Sequence, residues 1–195
     1  MPCSLPERLK RETAADHAEV EDVVQLMGID TTARYLTVLG AFQGFWPGIE
    51  ARIDHALSAA LRAELAPRWR APRLSHDLAR LGLSSADIRG LPVCADWPCI
   101  DSPAAALGAL YVTEGSTLGA RHISRHLNER LGMDASSGAS FFAGHGDQTG
   151  HLWLRFKALL SEHLPTESEQ DQAVLAATQT FSALNRWFKI ALRHG

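Results

Sequence analysis

The stretch Tyr111-Val-Thr-Glu-Gly115-Ser-Thr-Leu-Gly119-Ala-Arg121 places two glycines four residues apart in a segment whose pattern is otherwise helical. A glycine inside a helix costs about 0.5–1 kcal/mol relative to alanine, so the pair indicates a kink or a close approach of the backbone to another group. The pattern leaves a second explanation open, namely that Gly115 and Gly119 let two helices pack closely. Tyr111 is either a core tyrosine or a hydroxyl that contacts a bound molecule.

A second segment, about a hundred residues earlier, reads Leu9-Lys10-Arg-Glu-Thr-Ala-Ala-Asp-His17-Ala-Glu-Val-Glu21. It places His17 on a predicted helix, with Lys10 two turns before it and Glu21 one turn after it. An imidazole that binds iron through Nε2 keeps Nδ1–H free for a carboxylate, which Glu21 could supply. The alternative is a surface histidine between solvated charges. The two segments together could sandwich a flat ligand, which indicates heme.

Apolar periodicity predicts helices along the whole chain. One helix is expected over residues 5–27, and a second from a cap at 30–32 to about residue 65, bent or broken near 44–48. A connecting region over 66–102 contains a short helix near 74–81 and a capping box at 84–87. Residues 102–131 form one helical pattern that is interrupted only by the two glycines and is expected to stop at Gly132. Helices to about 163 and from 166 to about 192 complete the chain. Since no stretch alternates like a strand, an all-α helical bundle is expected, with residues 1–195 as a single domain.

Composition excludes several classes of protein. The 195 residues carry a net charge of −3, from 19 basic and 22 acidic residues, so there is no bulk attraction for nucleic acid. No stretch reaches the roughly 18 apolar residues that a membrane span needs, so no membrane insertion is expected. Cys3, Cys94 and Cys99 form no CxxC motif, which favours reduced thiols and a cytoplasmic location.

In the two segments described above, the chain resembles the heme oxygenase family, in its bacterial branch. The run from Leu9-Lys10 through His17 to Glu21 resembles the proximal motif of the family, and residues 114–120 resemble the bacterial distal motif. The Gly-rich loop after residue 138 and Trp153-x-x-Phe156 are similar to members associated with bacteriophytochromes. The resemblance implies that heme b is held between a proximal N-terminal helix and a glycine-kinked distal helix.

The same resemblance implies roles for individual residues. His17 is expected to be the axial iron ligand, and Gly115 and Gly119 are expected to form the backbone over the distal face. Ser116 occupies the position at which animal-type enzymes have an aspartate that orders distal water, so a different water network is expected here. The heme propionates are expected to contact Lys10, Tyr111 and one or two of Arg186, Lys189 and Arg193.

The activity implied is oxidative opening of heme to biliverdin, with release of carbon monoxide and ferrous iron, using O2 and electrons from a ferredoxin or reductase. The chain has no nucleotide-binding fingerprint, which agrees with an external electron donor, and a bacteriophytochrome is a possible acceptor of biliverdin. Three alternatives stay open: a heme carrier of the same fold without activity, a bundle that binds another small molecule, and a zinc site at His122 and His126. A diiron site is disfavoured because paired Glu-x-x-His motifs are absent.

Overall fold

The computed structural model describes residues 4–193, and no residue in this range lies in a β-strand, which confirms the all-α prediction. Most helices follow one another through short turns, whereas residues 90–102 and 132–148 form longer connections. The apolar faces of the helices share one hydrophobic core. The helices are α1 (Leu5–Glu12), α2 (Ala14–Val24), α3 (Thr32–Gln43), α4 (Trp46–Ala56), α5 (Ala59–Leu65), α6 (Ala71–Arg80), α7 (Ser85–Arg89), α8 (Pro103–Gly115), α9 (Ala120–Leu131), α10 (Thr149–His163) and α11 (Glu167–Ala191).

The prediction of one helix over residues 5–27 is wrong, because the helix is interrupted at Thr13. The Thr13 hydroxyl donates to the carbonyl of Leu9 at 2.8 Å, and such back-bonding by threonine bends helices. The second part, α2, ends at Val24, and Gln25 turns the chain with a left-handed φ of 51°. His17 therefore lies in the first half of a short helix whose start is fixed by a buried threonine.

The predicted break near residues 44–48 is confirmed, since α3 ends at Gln43 and α4 begins at Trp46. A Cβ atom at Gly44 would lie 2.3 Å from the carbonyl oxygen of Pro92, so only glycine fits there. The expected continuation to residue 65 is wrong in one respect: Ser58 caps a separate helix, α5, by accepting from the amide of Leu61.

The scaffold of the bundle is the pair α8 and α11, which form the most extensive interface in the described chain. Their backbones approach closely at Gly108, where an added Cβ would lie 2.0 Å from the carbonyl oxygen of Ala173. Helix α2 packs on α11, and α4 packs on α8. None of the helices between residues 4 and 193 has the length and hydrophobicity of a membrane-spanning helix.

The interruption of the long helix at the two glycines is confirmed. Helix α8 ends at Gly115, a 3-10 turn covers Ser116–Gly119, and α9 continues from Ala120. The hydroxyl of Thr117 donates to the carbonyl of Glu114 at 2.7 Å, which stabilises the turn. Gly132 ends α9 with a left-handed φ of 65°, as predicted.

Candidate functional site

His17 lies on the exposed side of α2, and its Nδ1 atom is 3.5 Å from Oε2 of Glu21. Its ring packs edge to face on Phe181 of α11, with ring centroids 5.8 Å apart. No hydrogen bond to Nε2 occurs in the described part of the chain. An Nδ1–H that points to Glu21 leaves the Nε2 lone pair free, which is the state that binds a metal ion.

Helix α2 and the kinked end of α8 both pack on α11, without a substantial direct interface between them. Tyr111 of α8 connects the two helices, because its side chain contacts Thr13 at the start of α2. Burial raises the pKa of Tyr111, and the hydrogen bond to Thr13 partly offsets this effect. Its ring also contacts Trp153 of α10, at a centroid distance of 5.5 Å. Tyr111 on α8 and His17 on α2, both predicted site residues, thus belong to two helices that come together at Thr13.

Gly115 and Gly119 are not needed for helix packing. A Cβ at Gly115 would lie 3.8 Å from the nearest atom of the Trp153 ring, and a Cβ at Gly119 would lie 3.6 Å from the side chain of Ile123. Both are ordinary van der Waals distances, whereas Gly108 has no room for a Cβ at all. Close packing therefore explains Gly108 and does not explain the two glycines of the kink.

Ser116 is held by Arg70, a residue that the sequence analysis did not identify. The Arg70 guanidinium donates to the Ser116 hydroxyl and to the carbonyl oxygen of Thr113, each at 2.7 Å, and the Ser116 hydroxyl donates to the same carbonyl. Arg70 is only 3% exposed and lies over the rings of Trp46 and Phe141, 5.3 and 4.8 Å from their centroids. Nothing in the sequence around Arg70 distinguishes it from the neighbouring arginines, which is why it was missed.

Burial lowers the pKa of Arg70 to about 10, with partial compensation from Glu50 and Glu114. Glu50 is itself buried and accepts from the backbone amides of Arg70 and Ala71, at 2.9 and 3.0 Å. Burial raises the pKa of Glu50, against the opposing effect of these amides. At neutral pH the guanidinium remains charged, so a fixed cation lies beside the distal turn.

A cavity of about 40 Å³ lies next to Ser116 and Arg70. This volume holds one to a few water molecules, at roughly 10–15 Å³ of such space for each. The polar side chains in its lining are those of Ser116 and Arg70. The remaining walls are apolar and come from Leu26, Phe42, Ala120, Ile123, Phe141 and Phe142.

The basic residues expected at the propionates are all exposed, and two of them have partners. Lys189 Nζ lies 2.6 Å from Glu19 of α2, and Arg186 Nη2 lies 2.7 Å from Asp96. Lys10 has no ion-pair partner among the residues that the structure describes. Lys10 is on α1 and Lys189 is on α11, and both of these helices contact α2, which carries His17. Arg186 instead pairs with Asp96 in the segment before α8.

The two histidines considered for zinc do not form a metal site with other side chains. The Nε2 atom of His126 lies 2.8 Å from the carbonyl oxygen of Ile29, so it donates a hydrogen bond there and cannot act as a ligand in that state. Between residues 4 and 193 no group of three His, Cys, Asp or Glu side chains is arranged to hold a metal ion.

Comparison with known proteins gives consistent matches. The family model described as "Heme oxygenase" matches residues 3–190. A "Heme oxygenase" of Xanthomonas campestris pv. campestris (strain 8004) is 32% identical over 149 residues, which cover 76% of this chain and 84% of the relative. The crystal structure of NO- and CO-bound heme oxygenase from Neisseria meningitidis superimposes with a TM-score of 0.74 at 25% identity, covering 99% of this chain and 92% of the other. Heme oxygenase 2 from Chlamydomonas reinhardtii, crystallised without heme, has the same fold, with a TM-score of 0.73 at 20% identity over 96% and 97% of the two chains.

Proposed function

The chain belongs to the heme oxygenase family, and we propose that it binds heme between α2 and the α8–α9 kink, with His17 as the axial iron ligand. The activity is the degradation of heme. The observation that carries the proposed site is the room left at Gly115 and Gly119, where added Cβ atoms would meet only ordinary contacts. Because these two positions carry no Cβ atom, a flat ligand can come closer to the backbone of the turn than it could at residues with side chains.

The proximal group fits an iron ligand. Glu21 orients the ring of His17 through Nδ1, and Phe181 limits its rotation from the other side. An imidazole that donates to a carboxylate is also a more basic ligand, because the hydrogen bond stabilises charge on the ring. A hydrogen bond from Nδ1 to Glu21, which lies 3.5 Å away, would favour the tautomer of His17 that leaves Nε2 free for iron.

On the distal side, Arg70 and Ser116 take the place of an aspartate. The Ser116 hydroxyl donates to Thr113 and accepts from Arg70, so it has only an acceptor position left for a further partner. The buried guanidinium of Arg70 keeps its positive charge at neutral pH, and its remaining N–H groups can donate further hydrogen bonds. This pair can orient water in the adjacent cavity and hold a proton donor near the turn without offering a carboxylic acid.

Bound heme supplies the iron that activates O2 and the macrocycle that is oxidised, so heme is both cofactor and substrate. We assign Lys10 and Tyr111 to the propionates from the resemblance of their two segments to the motifs of the family. Lys189 and Arg186 can join them only by leaving Glu19 and Asp96, and both pairs are exposed, where such ion pairs are weak.

The finer assignments rest on the sequence. We propose heme b as the substrate and biliverdin, carbon monoxide and ferrous iron as the products. Because no nucleotide-binding fingerprint occurs in the sequence, we propose that a ferredoxin or a reductase supplies the electrons. A cytoplasmic location and a bacteriophytochrome acceptor are proposed from the composition and from the resemblance at Trp153-x-x-Phe156.

The test is aerobic turnover of the hemin complex with ascorbate and, separately, with a ferredoxin system. We expect the Soret band to decay and a broad red absorption of biliverdin to replace it, with the product identified by chromatography. A Soret band that survives both reductants in air would overturn the proposal and would indicate a heme carrier.

A further inference from the structure

We propose that a buried cluster of three side chains, Arg68, Glu114 and His145, positions the distal turn over the heme and thereby determines which edge of the macrocycle is opened. This inference rests on the proposed heme site. Glu114 directly precedes Gly115, the last residue of α8, yet its side chain is only 4% exposed. A carboxylate at such a place needs buried partners of the opposite charge.

Arg68 supplies the opposite charge, and His145, from a different segment, supplies a ring nitrogen within ion-pair distance. Arg68 Nη1 lies 3.3 Å from Oε2 of Glu114, and the Nε2 atom of His145 lies 3.5 Å from Oε1. The side chains of both partners are 6% exposed. His145 Nε2 is buried and has no hydrogen-bond partner in the described chain, and the Glu114 carboxylate lies within ion-pair distance of it. Arg68 also donates to the carbonyl of Leu152 at 3.1 Å, which connects α10 to the same cluster.

The cluster complements the contacts of Arg70. Arg68 and Arg70 lie on either side of Trp69, and they bind residues on either side of Gly115: Arg68 binds Glu114, and Arg70 binds Ser116. The backbone of the turn is therefore fixed at the residue before and the residue after the first glycine. These contacts restrict the conformations that Gly115 could otherwise adopt.

The loop that carries His145 is itself attached to α6. Asp77 is fully buried, and its carboxylate accepts from the backbone amides of Ser140 and Phe141, at 3.0 and 2.8 Å. Arg73 donates to the carbonyl of Gly144. A Cβ at Gly144 would lie 3.0 Å from the Cβ of Ala120, so the loop presses directly on the start of α9.

A purely structural role would not require these charges, because buried ion pairs are often replaced by apolar side chains without loss of stability. Hydrogen-bonded charges are directional, so these contacts hold the turn closer to one geometry than apolar contacts would. The charged and titratable groups that face the cluster are Glu50 and Arg70, from α4 and the segment before α6, and Arg73 of α6. They belong to the same rigid support, which keeps the carboxylate between its two partners.

The first test uses the heme-free protein, so that it does not depend on activity. Glu114→Gln keeps the shape of the side chain and removes its charge, and the double variant Arg68→Met with Glu114→Gln removes both charges so that no unpaired ion is left buried. We expect amide hydrogen exchange over residues 115–121 to rise by about tenfold or more in both variants, with exchange in α11 unchanged. Equal exchange over residues 115–121 in the wild type and the double variant would overturn the inference.

The second test compares products. With hemin and reductant, we expect both variants to give a distribution of biliverdin isomers different from that of the wild type. Glu64→Gln is the matched control, because Glu64 pairs with Arg155 at 2.9 Å on the surface, and its isomer distribution should equal that of the wild type. An unchanged distribution in the variants would overturn the positioning role, whereas failure of the wild type to form biliverdin would refute the proposed function and leave the exchange result to decide the inference.

Discussion

The guanidinium of Arg70 donates to the hydroxyl of Ser116 at 2.7 Å, across 46 positions of sequence. The arginine belongs to the segment before α6, and the serine belongs to the 3-10 turn between α8 and α9. The contact places a buried cation beside a turn that contains two glycines, Gly115 and Gly119. The polar chemistry of the distal side therefore depends on a residue outside the distal helix.

Replacing Arg70 tests that dependence. We expect Arg70→Met to bind hemin through His17 but to degrade it slower by about a hundredfold, since loss of one fixed electrostatic donor costs about 10²–10³ in rate. Arg70→Lys keeps the charge without the planar fork, so an intermediate rate is expected. Single-turnover absorbance measures both, with Arg155→Met at the surface as the control. A wild-type rate in Arg70→Met would exclude a role of the guanidinium in the reaction.

Substitutions at Gly115 and Gly119 are expected to weaken ligand binding without lowering the stability of the protein. We expect Gly115→Ala and Gly119→Ala to unfold at the same free energy as the wild type or up to about 1 kcal/mol higher, because alanine is the better helix residue. Their added methyl groups occupy the ligand space, so hemin affinity should fall by about tenfold or more. Chemical denaturation and hemin titration give the two quantities.

Gly108→Ala is the counterpart on the same helix. Its Cβ would lie 2.0 Å from the carbonyl oxygen of Ala173, so a loss of about 3 kcal/mol or more in unfolding free energy is expected. If Gly115→Ala and Gly119→Ala bound hemin as tightly as the wild type, the heme would not lie against this turn.

The contribution of Glu50 to the unfolding free energy is expected to decrease as the pH rises. Burial raises its pKa in the folded state above its ordinary value of 4.5, so the folded protein binds the proton more tightly than the unfolded chain. Its contribution to stability is then fully present below the unfolded pKa and is lost as pH rises through the folded pKa. We expect the unfolding free energy of the wild type, minus that of Glu50→Gln, to fall as the pH rises above about 4.5. Urea unfolding at several pH values measures it, and a difference that rises with pH would show the opposite shift.

The sequence predicted the helices with strong periodicity and the site residues with distinctive local patterns. The interruption at Gly115 and Gly119 and the stop at Gly132 follow from backbone rules that act within a few residues. The break at Thr13 was missed because the back-bond of a threonine is indistinguishable in sequence from an ordinary helical threonine.

The support of the distal turn could not be predicted in the same way. Arg68 and Arg70 reach the turn over 46 positions of sequence, and their importance lies in burial, which only the packed fold defines. Likewise, the sequence left two explanations for the glycines, and the contacts of a hypothetical Cβ decided between them. Local patterns thus gave candidate residues for the ligand site, while tertiary contacts identified what holds the turn between α8 and α9 in shape.

The most direct test of the central claim is an optical hemin titration of the wild type, His17→Ala and His163→Ala. His163 is the control because it is also an exposed histidine on a helix, at the end of α10. We predict a saturable Soret band in the wild type and in His163→Ala, its loss or a shift to a weakly bound form in His17→Ala, and recovery of the wild-type spectrum when imidazole is added to that variant. An unchanged Soret band in His17→Ala would contradict the assignment of the axial ligand and with it the proposed site.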